Sequence, residues 1–482
     1  MTGPVLAIDQ GTTSTRAVLA YADGRTVPLL SREHRQSYPR PGWVEHDADE
    51  LLADIAACLD AAAAYDVAAV GLDNQGESCL AWDAETGRPV GPVIVWQDDR
   101  TSAVTERLRG EGAEPLVTGR TGLPLDPYFS ASKLGWIVRE VPEARRLARA
   151  GRLRLGTTDA YFRDRLTGRF ETDVATASRT SLMALDTLAW DADLAALFGV
   201  PLAALPAIGP TSGELGHVRC GARTVPFTAS IVDQQAALYG HGCTRPGEAK
   251  ITCGTGAFVL AVTGARPPAG SGALPTVLWQ RAGEAAVFGL DGGVYAAAAA
   301  VNWARRIGLF AEFAEIDRFD TPRAITRGLA FVPALSGLAA PHWERGARGS
   351  FVGLSLETSR SDMMQALLEG VALRIAEVTR AIAAVTALSG PLPVDGGLSA
   401  NPYFTQMLAD AVGLDLNIAA MPDVTARGTA RLAAEAIGMA VAPPAPGGRV
   451  TAAPLPAGAA TRFAAAVSAT RRLADSWHDT DR

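Results

Sequence analysis

The sequence predicts an α/β protein of two related lobes, on three observations. Residues 5–20, Val-Leu-Ala-Ile-Asp-Gln-Gly-Thr-Thr-Ser-Thr-Arg-Ala-Val-Leu-Ala, read as an apolar strand, a tight turn at Gly11 and a return strand. Residues 251–258, Ile-Thr-Cys-Gly-Thr-Gly-Ala-Phe, repeat that pattern. Residues 394–401, Val-Asp-Gly-Gly-Leu-Ser-Ala-Asn, end a third apolar strand in a Gly-Gly turn, and Asn401 is placed to cap the next helix.

The first turn also carries chemistry. It gathers Asp9, Thr12, Thr13, Ser14 and several backbone N–H groups into a small space. An anion can sit against the hydroxyls and N–H groups while Asp9 holds a cation beside it, which suits a Mg-bound polyphosphate. No Gly-rich loop ending in Lys and opening a helix occurs, so this is not a P-loop. An isolated turn of this kind is a weak signal. Two of them and the later Gly-Gly turn together fit a nucleotide held between the lobes.

Taken in order, residues 37–47 form a turn-rich loop whose Asp47 can cap a helix over 48–64, with Leu51, Leu52, Ile55 and Leu59 at helical spacing. Residues 67–72 read as a short strand ending in Asp73-Asn74-Gln75-Gly76-Glu77-Ser78, and 93–100 repeat that pattern around Trp96. Ligands of open α/β sheets gather at such carboxyl ends. Asp126-Pro127-Tyr128-Phe129-Ser130-Ala131-Ser132-Lys133 leads into a helix holding Leu134, Trp136 and Ile137. Residues 226–232 form a strand running into Asp233-Gln234-Gln235, with a helix opening at 236.

The first lobe is expected to span 1–242 and the second 243–482. In the second, Asp291-Gly292-Gly293 is expected to turn into an alanine-rich helix over 294–307, the alanines reflecting helix propensity and close packing. A long helix over 361–387 places Leu367, Val371, Ile375 and Val378 on one face, and another helix is expected over 430–439. Residues 442–460, rich in Pro, Ala and Gly, read as a loose connection before a terminal helix from about 459.

Composition narrows the function. A chain of 482 residues with 48% hydrophobic and 20% charged residues is long and apolar enough for two full cores. A net charge of −7 argues against nucleic acid or an anionic membrane as the main partner. Cys58, Cys79, Cys220, Cys243 and Cys253 are scattered without a paired framework, which predicts packing roles in a reducing cytoplasm. No leader is expected, and no apolar run approaches the roughly 20 residues needed to span a bilayer.

With these residues in view, the chain resembles the FGGY family of carbohydrate kinases and, within it, the glycerol kinases. The resemblance covers nearly the whole chain. It runs through Asp9-Gln10-Gly11-Thr12-Thr13-Ser14, Pro41-Gly42-Trp43-Val44-Glu45-His46-Asp47, Asp126-Pro127-Tyr128-Phe129-Ser130, Asp233-Gln234-Gln235-Ala236-Ala237-Leu238, Gly254-Thr255-Gly256 and Val394-Asp395-Gly396-Gly397. It implies a two-lobed actin/hexokinase-like (ribonuclease H-like) fold, each lobe a five-stranded mixed sheet flanked by helices, with ATP and a polyol meeting in the cleft.

Carried over residue by residue, the resemblance makes Asp233 the catalytic base and gives Asp9, with Asp233, to Mg2+. It places Thr12, Thr13, Ser14 and Arg16 at the first phosphate turn and Gly254 and Thr255 at the second. Gly397, Asn401 and Asn302 fall on the adenosine side. Gly76, Glu77, Trp96, Tyr128, Asp233, Gln234 and Phe258 fall in the polyol pocket. Members of the family are often homodimers or homotetramers; nothing in the pattern decides between these.

One departure concerns the substrate. Glycerol kinases resembling this chain carry Arg where Asn74-Gln75-Gly76-Glu77-Ser78 has Gly76. Losing a charged donor to a buried group costs about 1.5–3 kcal/mol and leaves space. This predicts weaker glycerol binding and room for a four- or five-carbon polyol. Ala298 and Asn302 depart from the Gly and Gln usual beside adenine, and Cys220-Gly221-Ala222-Arg223 matches the fructose 1,6-bisphosphate loop only in part. The leading expectation is phosphorylation of a terminal hydroxyl of glycerol or a similar small polyol. The alternative is a tetritol, pentitol or ketose such as xylulose. An actin-like ATPase without a sugar substrate ranks below both, because it needs no Asp-Gln-Gln motif.

Overall fold

The apolar run that opens the sequence becomes the strand Val5–Gln10, buried along its whole length. It pairs antiparallel with Ser14–Ala20 and parallel with Ala69–Asn74. These observations come from a computed structural model that describes residues 3–264, 266, 271–419, 423–442 and 447–480. The chain forms two compact units. The first comprises Met1–Gly242, Pro275–Phe288 and Asp423–Pro444, and the second Cys243–Leu274, Gly289–Pro422 and Ala445–Arg482.

In the first unit a six-stranded mixed sheet runs in the order His217–Cys220, Arg223–Val232, Ala69–Asn74, Val5–Gln10, Ser14–Ala20, Thr26–Glu33. The strands Arg223–Val232, Ala69–Asn74 and Val5–Gln10 are parallel neighbours, so their carboxyl ends lie side by side. The register sets Asp9 opposite Asp73, and Asn74 opposite Val232. Asp9, Asp73 and Asp233 are thereby placed at neighbouring strand ends. Helix Ala48–Ala61 covers one face with Leu51, Ile55 and Leu59, its first N–H groups bonded to Asp47. It ends one turn short of the expected 64.

Helix Val424–Glu435 packs against helix Asp233–Gly240 at glycines. A Cβ on Gly428 would lie 1.8 Å from the Ala236 carbonyl oxygen, and one on Gly240 2.1 Å from that of Val424. The helix expected over 430–439 therefore begins earlier, and its internal glycine is a point of backbone contact. The helix expected from 236 begins at Asp233 itself. A smaller four-stranded sheet joins Glu45–His46, Val93–Ile94, Cys79–Asp83 and Leu153–Thr157.

In the second unit Ala249–Cys253 and Ala257–Gly264 form the expected hairpin, and Leu392–Asp395 runs parallel to the first of them. The sheet to which they belong has seven strands, with Leu416–Ile418 and Gly448–Val450 towards one edge. Both large sheets thus exceed the five strands expected. Helix Arg360–Ala383 opens in a capping box of Ser359 and Asp362 and buries Leu367, Val371, Ile375 and Val378 as its spacing predicted.

Asp291-Gly292-Gly293 is not a turn. The strand Val287–Val294 continues through it, and the helix begins only at Ala298 and ends at Arg306. A Cβ on Gly292 would lie 2.4 Å from Val378 Cγ1, so the glycine serves close strand–helix packing. The connection expected to be loose over 442–460 contains the strand Gly448–Val450, held at Asp415 by Arg449 and the Ala452 N–H. Residues 443–446 of that stretch lie outside the described residues.

Candidate active site

The first turn is closed by the Gly11 N–H donating to the Ser14 carbonyl at 3.0 Å. At its base Asp9 is buried and accepts from Arg16 Nη2 at 2.5 Å, while Arg16 Nη1 lies 3.3 Å from Asp423. Arg16 thus neutralises Asp9 rather than projecting alone from the turn. Burial, and then the adjacent Asp9 charge, push the Asp73 carboxyl well above the ordinary range, against a 2.6 Å hydrogen bond from Thr429.

Trp96 links this turn to the next strand ends. Its indole N–H donates to Thr12 Oγ1 at 3.1 Å, and its backbone N–H donates to Ser78 Oγ at 3.1 Å. Its ring meets Tyr128 edge-on at 5.5 Å. Ser130 Oγ donates to the Glu77 carbonyl at 2.8 Å, drawing the Tyr128 segment onto Glu77. Glu77 holds a left-handed backbone with φ 58°, a conformation that costs energy and clusters at functional positions.

The Glu77 carboxylate is no solvated loop charge. It is 4% exposed and accepts from Arg179 Nε at 2.7 Å. Arg179 also lies 5.9 Å from the Tyr128 ring centroid. Sequence reasoning passed over Arg179. The only available signal was the general need of a buried carboxylate for a cation, which does not say which arginine supplies it. Gly76 stands beside the end of strand Arg223–Val232: a Cβ there would meet one atom within 4 Å among the described residues, Val232 Cγ1 at 3.0 Å.

Asp233 and Gln234 open helix Asp233–Gly240, both half-buried, with the Gln234 N–H donating to Asp233 Oδ1 at 2.6 Å. The first unit therefore brings together Thr12, Gly76, Glu77, Trp96, Tyr128 and the strand that delivers Asp233. A second buried cluster lies behind Thr12. His34 Nε2 contacts the Thr12 carbonyl at 3.1 Å, and His46, 5.0 Å away ring to ring, contacts Gln75 at 3.3 Å. Burial, with the neighbouring His34, pulls His46 down to about 4.

In the second unit the Gly254 carbonyl accepts from the Ala298 N–H at 3.0 Å, and the Thr255 carbonyl from those of Ala297 and Ala299. The turn thus seats helix Ala298–Arg306, on which Asn302 is exposed. Phe258 lies half-buried against Gly293. Gly396 has φ 90°, and a Cβ there would lie 2.5 Å from the Cys253 backbone, so the Gly-Gly turn crosses directly over the hairpin. Gly397 faces open space. Asn401 is committed on both sides of its amide. Its oxygen caps the helix Pro402–Val412 at Phe404 N, 2.7 Å, and its nitrogen donates to the Ile316 carbonyl at 2.9 Å.

Two mixed sheets flanked by helices, each headed by a glycine turn, make the two-domain sugar-kinase fold. The N-terminal domain of the FGGY family of carbohydrate kinases matches residues 4–240 and the C-terminal domain residues 249–437, and the chain belongs to that family. It is 41% identical to a glycerol kinase of Geobacter sp. (strain M21) over 441 residues, 89% of each chain. It is 42% identical to one from Thermus brockianus over 438 residues, 88% of each. The crystal structure of Plasmodium falciparum glycerol kinase with ADP superposes with a TM-score of 0.88 at 27% identity, covering 97% of this chain and 98% of that one.

Proposed function

We propose that this chain transfers the γ-phosphoryl group of ATP to a terminal hydroxyl of glycerol or a similar small polyol. The observation that carries the reading is the contact of Trp96, a wall of the polyol site, with Thr12 in the phosphate turn, beside the buried Glu77. The glycerol kinases among its relatives support the substrate class.

In this reading Asp233 accepts the proton of the attacking hydroxyl, which is otherwise a poor nucleophile. Glu77 and Gln234 grip the remaining hydroxyls, and Trp96, Tyr128 and Phe258 enclose the carbon chain. Thr12, Thr13, Ser14 and Arg16 serve as the first phosphate turn, and Gly254 and Thr255 as the second. Asn302, Gly397 and Asn401 serve the adenosine side, Asn401 by shaping the loop its amide holds. The chemistry otherwise asks for position and charge neutralisation.

The residues fit Mg2+. Among the described residues no group of three or more His, Cys, Asp or Glu could hold a metal. Asp9 and Asp233 stand at neighbouring strand ends, and a cation held there would keep water and phosphate oxygens as its other ligands. When bound it neutralises phosphate charge. No helix of the described residues is long and apolar enough to cross a membrane. All five cysteines are free and buried, which supports a cytoplasmic setting.

A second reading is favoured by Gly76. Glycine there places no side chain beside Val232 Cγ1, which supports a four- or five-carbon polyol as substrate. Both readings need Asp233. The Asp233→Asn variant is expected to lose about 10²–10⁴-fold in kcat while still binding polyol. Retention of wild-type kcat by that variant would remove Asp233 from the base role.

A further inference from the structure

Lys133 lies on helix Ser130–Glu140 and is completely buried. Its ammonium meets three backbone carbonyls: Val95 at 3.0 Å, Trp96 at 3.1 Å and Tyr128 at 3.2 Å. These acceptors belong to two segments far apart in sequence, one following strand Val93–Ile94 and one preceding the helix. An ammonium has three donors and here finds three acceptors. Burying a cation is costly, and packing alone is served better by an apolar side chain. What the lysine adds is a tie between the backbones of the two aromatic residues that meet edge-on, Trp96 and Tyr128.

We propose that Lys133 is a positioning residue of the polyol site. It fixes Trp96 against Tyr128 by holding the backbone carbonyl of each. The proposal rests on the reading of Trp96 and Tyr128 as walls of that site.

The geometry has a pH signature. Burial pulls Lys133 down from 10.5 to about 8, opposed by Cys79, Asp98, Glu77 and Asp126. Burial pushes the Cys79 thiol up to about 12, so it stays neutral through this range. Asp98 is paired with Arg100, Glu77 with Arg179, and Asp126 accepts from the Tyr128 N–H. Raising the pH through about 8 therefore removes the Lys133 proton. The neutral amine keeps two donors for three carbonyls, and one carbonyl loses its partner.

The test uses the full chain labelled with fluorotryptophan, the Trp96 fluorine signal being assigned by its absence in Trp96→Phe. In the unsubstituted protein that signal is expected to titrate with a midpoint near 8. Lys133→Met should shift or broaden it at neutral pH and abolish the titration. With Mg and ATP, the same variant should raise KM for glycerol by about tenfold or more and leave KM for ATP within about twofold. A Trp96 signal at neutral pH that Lys133→Met leaves unchanged would overturn the proposal, as would KM for glycerol and ATP rising together. If the Trp96 signal follows Lys133 but no polyol is turned over, the positioning of Trp96 stands and the polyol reading falls.

Discussion

Glu77, 4% exposed, is neutralised by Arg179 from 102 positions along the chain. Such a pair contributes little net stability, but breaking it strands a buried charge at a cost of about 3–5 kcal/mol. Arg179→Met is therefore expected to lower unfolding free energy by an amount in that range, measured by urea titration, and to raise KM for polyol more than for ATP. A loss below about 0.5 kcal/mol would show that Glu77 is neutralised some other way. The sequence pointed to Glu77 because it stands in a polar cluster at a strand end. It could not point to Arg179, because the pairing exists only once strand Ala69–Asn74 and the segment after Val174–Ala177 are folded together. Asn401 shows the converse. Its capping role was legible from its place before a helix, whereas its second bond to the Ile316 carbonyl was not.

At the scale of elements, the crossing of helices Val424–Glu435 and Asp233–Gly240 buttresses the turn that presents Asp233. Backbone atoms line the contact, so added bulk has no flexible side chain to displace. Gly428→Ala is expected to destabilise by about 1–3 kcal/mol, the usual range for overpacking, and to lower kcat by disturbing the Asp233 helix. Thermal unfolding beside steady-state kinetics checks both. Unchanged stability with unchanged kcat would mean that the crossing tolerates a methyl group. Strands and hairpins with a sharp glycine turn were legible, since local chemistry alone defines them: Val5–Gln10 with Ser14–Ala20, and Ala249–Cys253 with Ala257–Gly264. Helix starts were read less well. Gly292 resembles a turn in sequence and is a packing contact in the fold, because what lies opposite a glycine is a tertiary fact.

At the scale of the molecule, each unit is assembled from separated stretches. Pro275–Phe288 and Asp423–Pro444 fold with the first unit although they follow the second hairpin in sequence. Thr429 reaches Asp73 from that late segment, so the acidic strand edge at Asp9 is completed by residues more than 350 positions downstream. The central claim, a polyol-dependent phosphotransferase, is tested most directly by ADP release with Mg and ATP across glycerol, erythritol, both threitols, the pentitols, xylulose and ribulose. The account predicts ADP release that requires a polyol, with glycerol or a four- or five-carbon polyol giving the highest kcat/KM. ADP release at the same rate with no polyol present would contradict it.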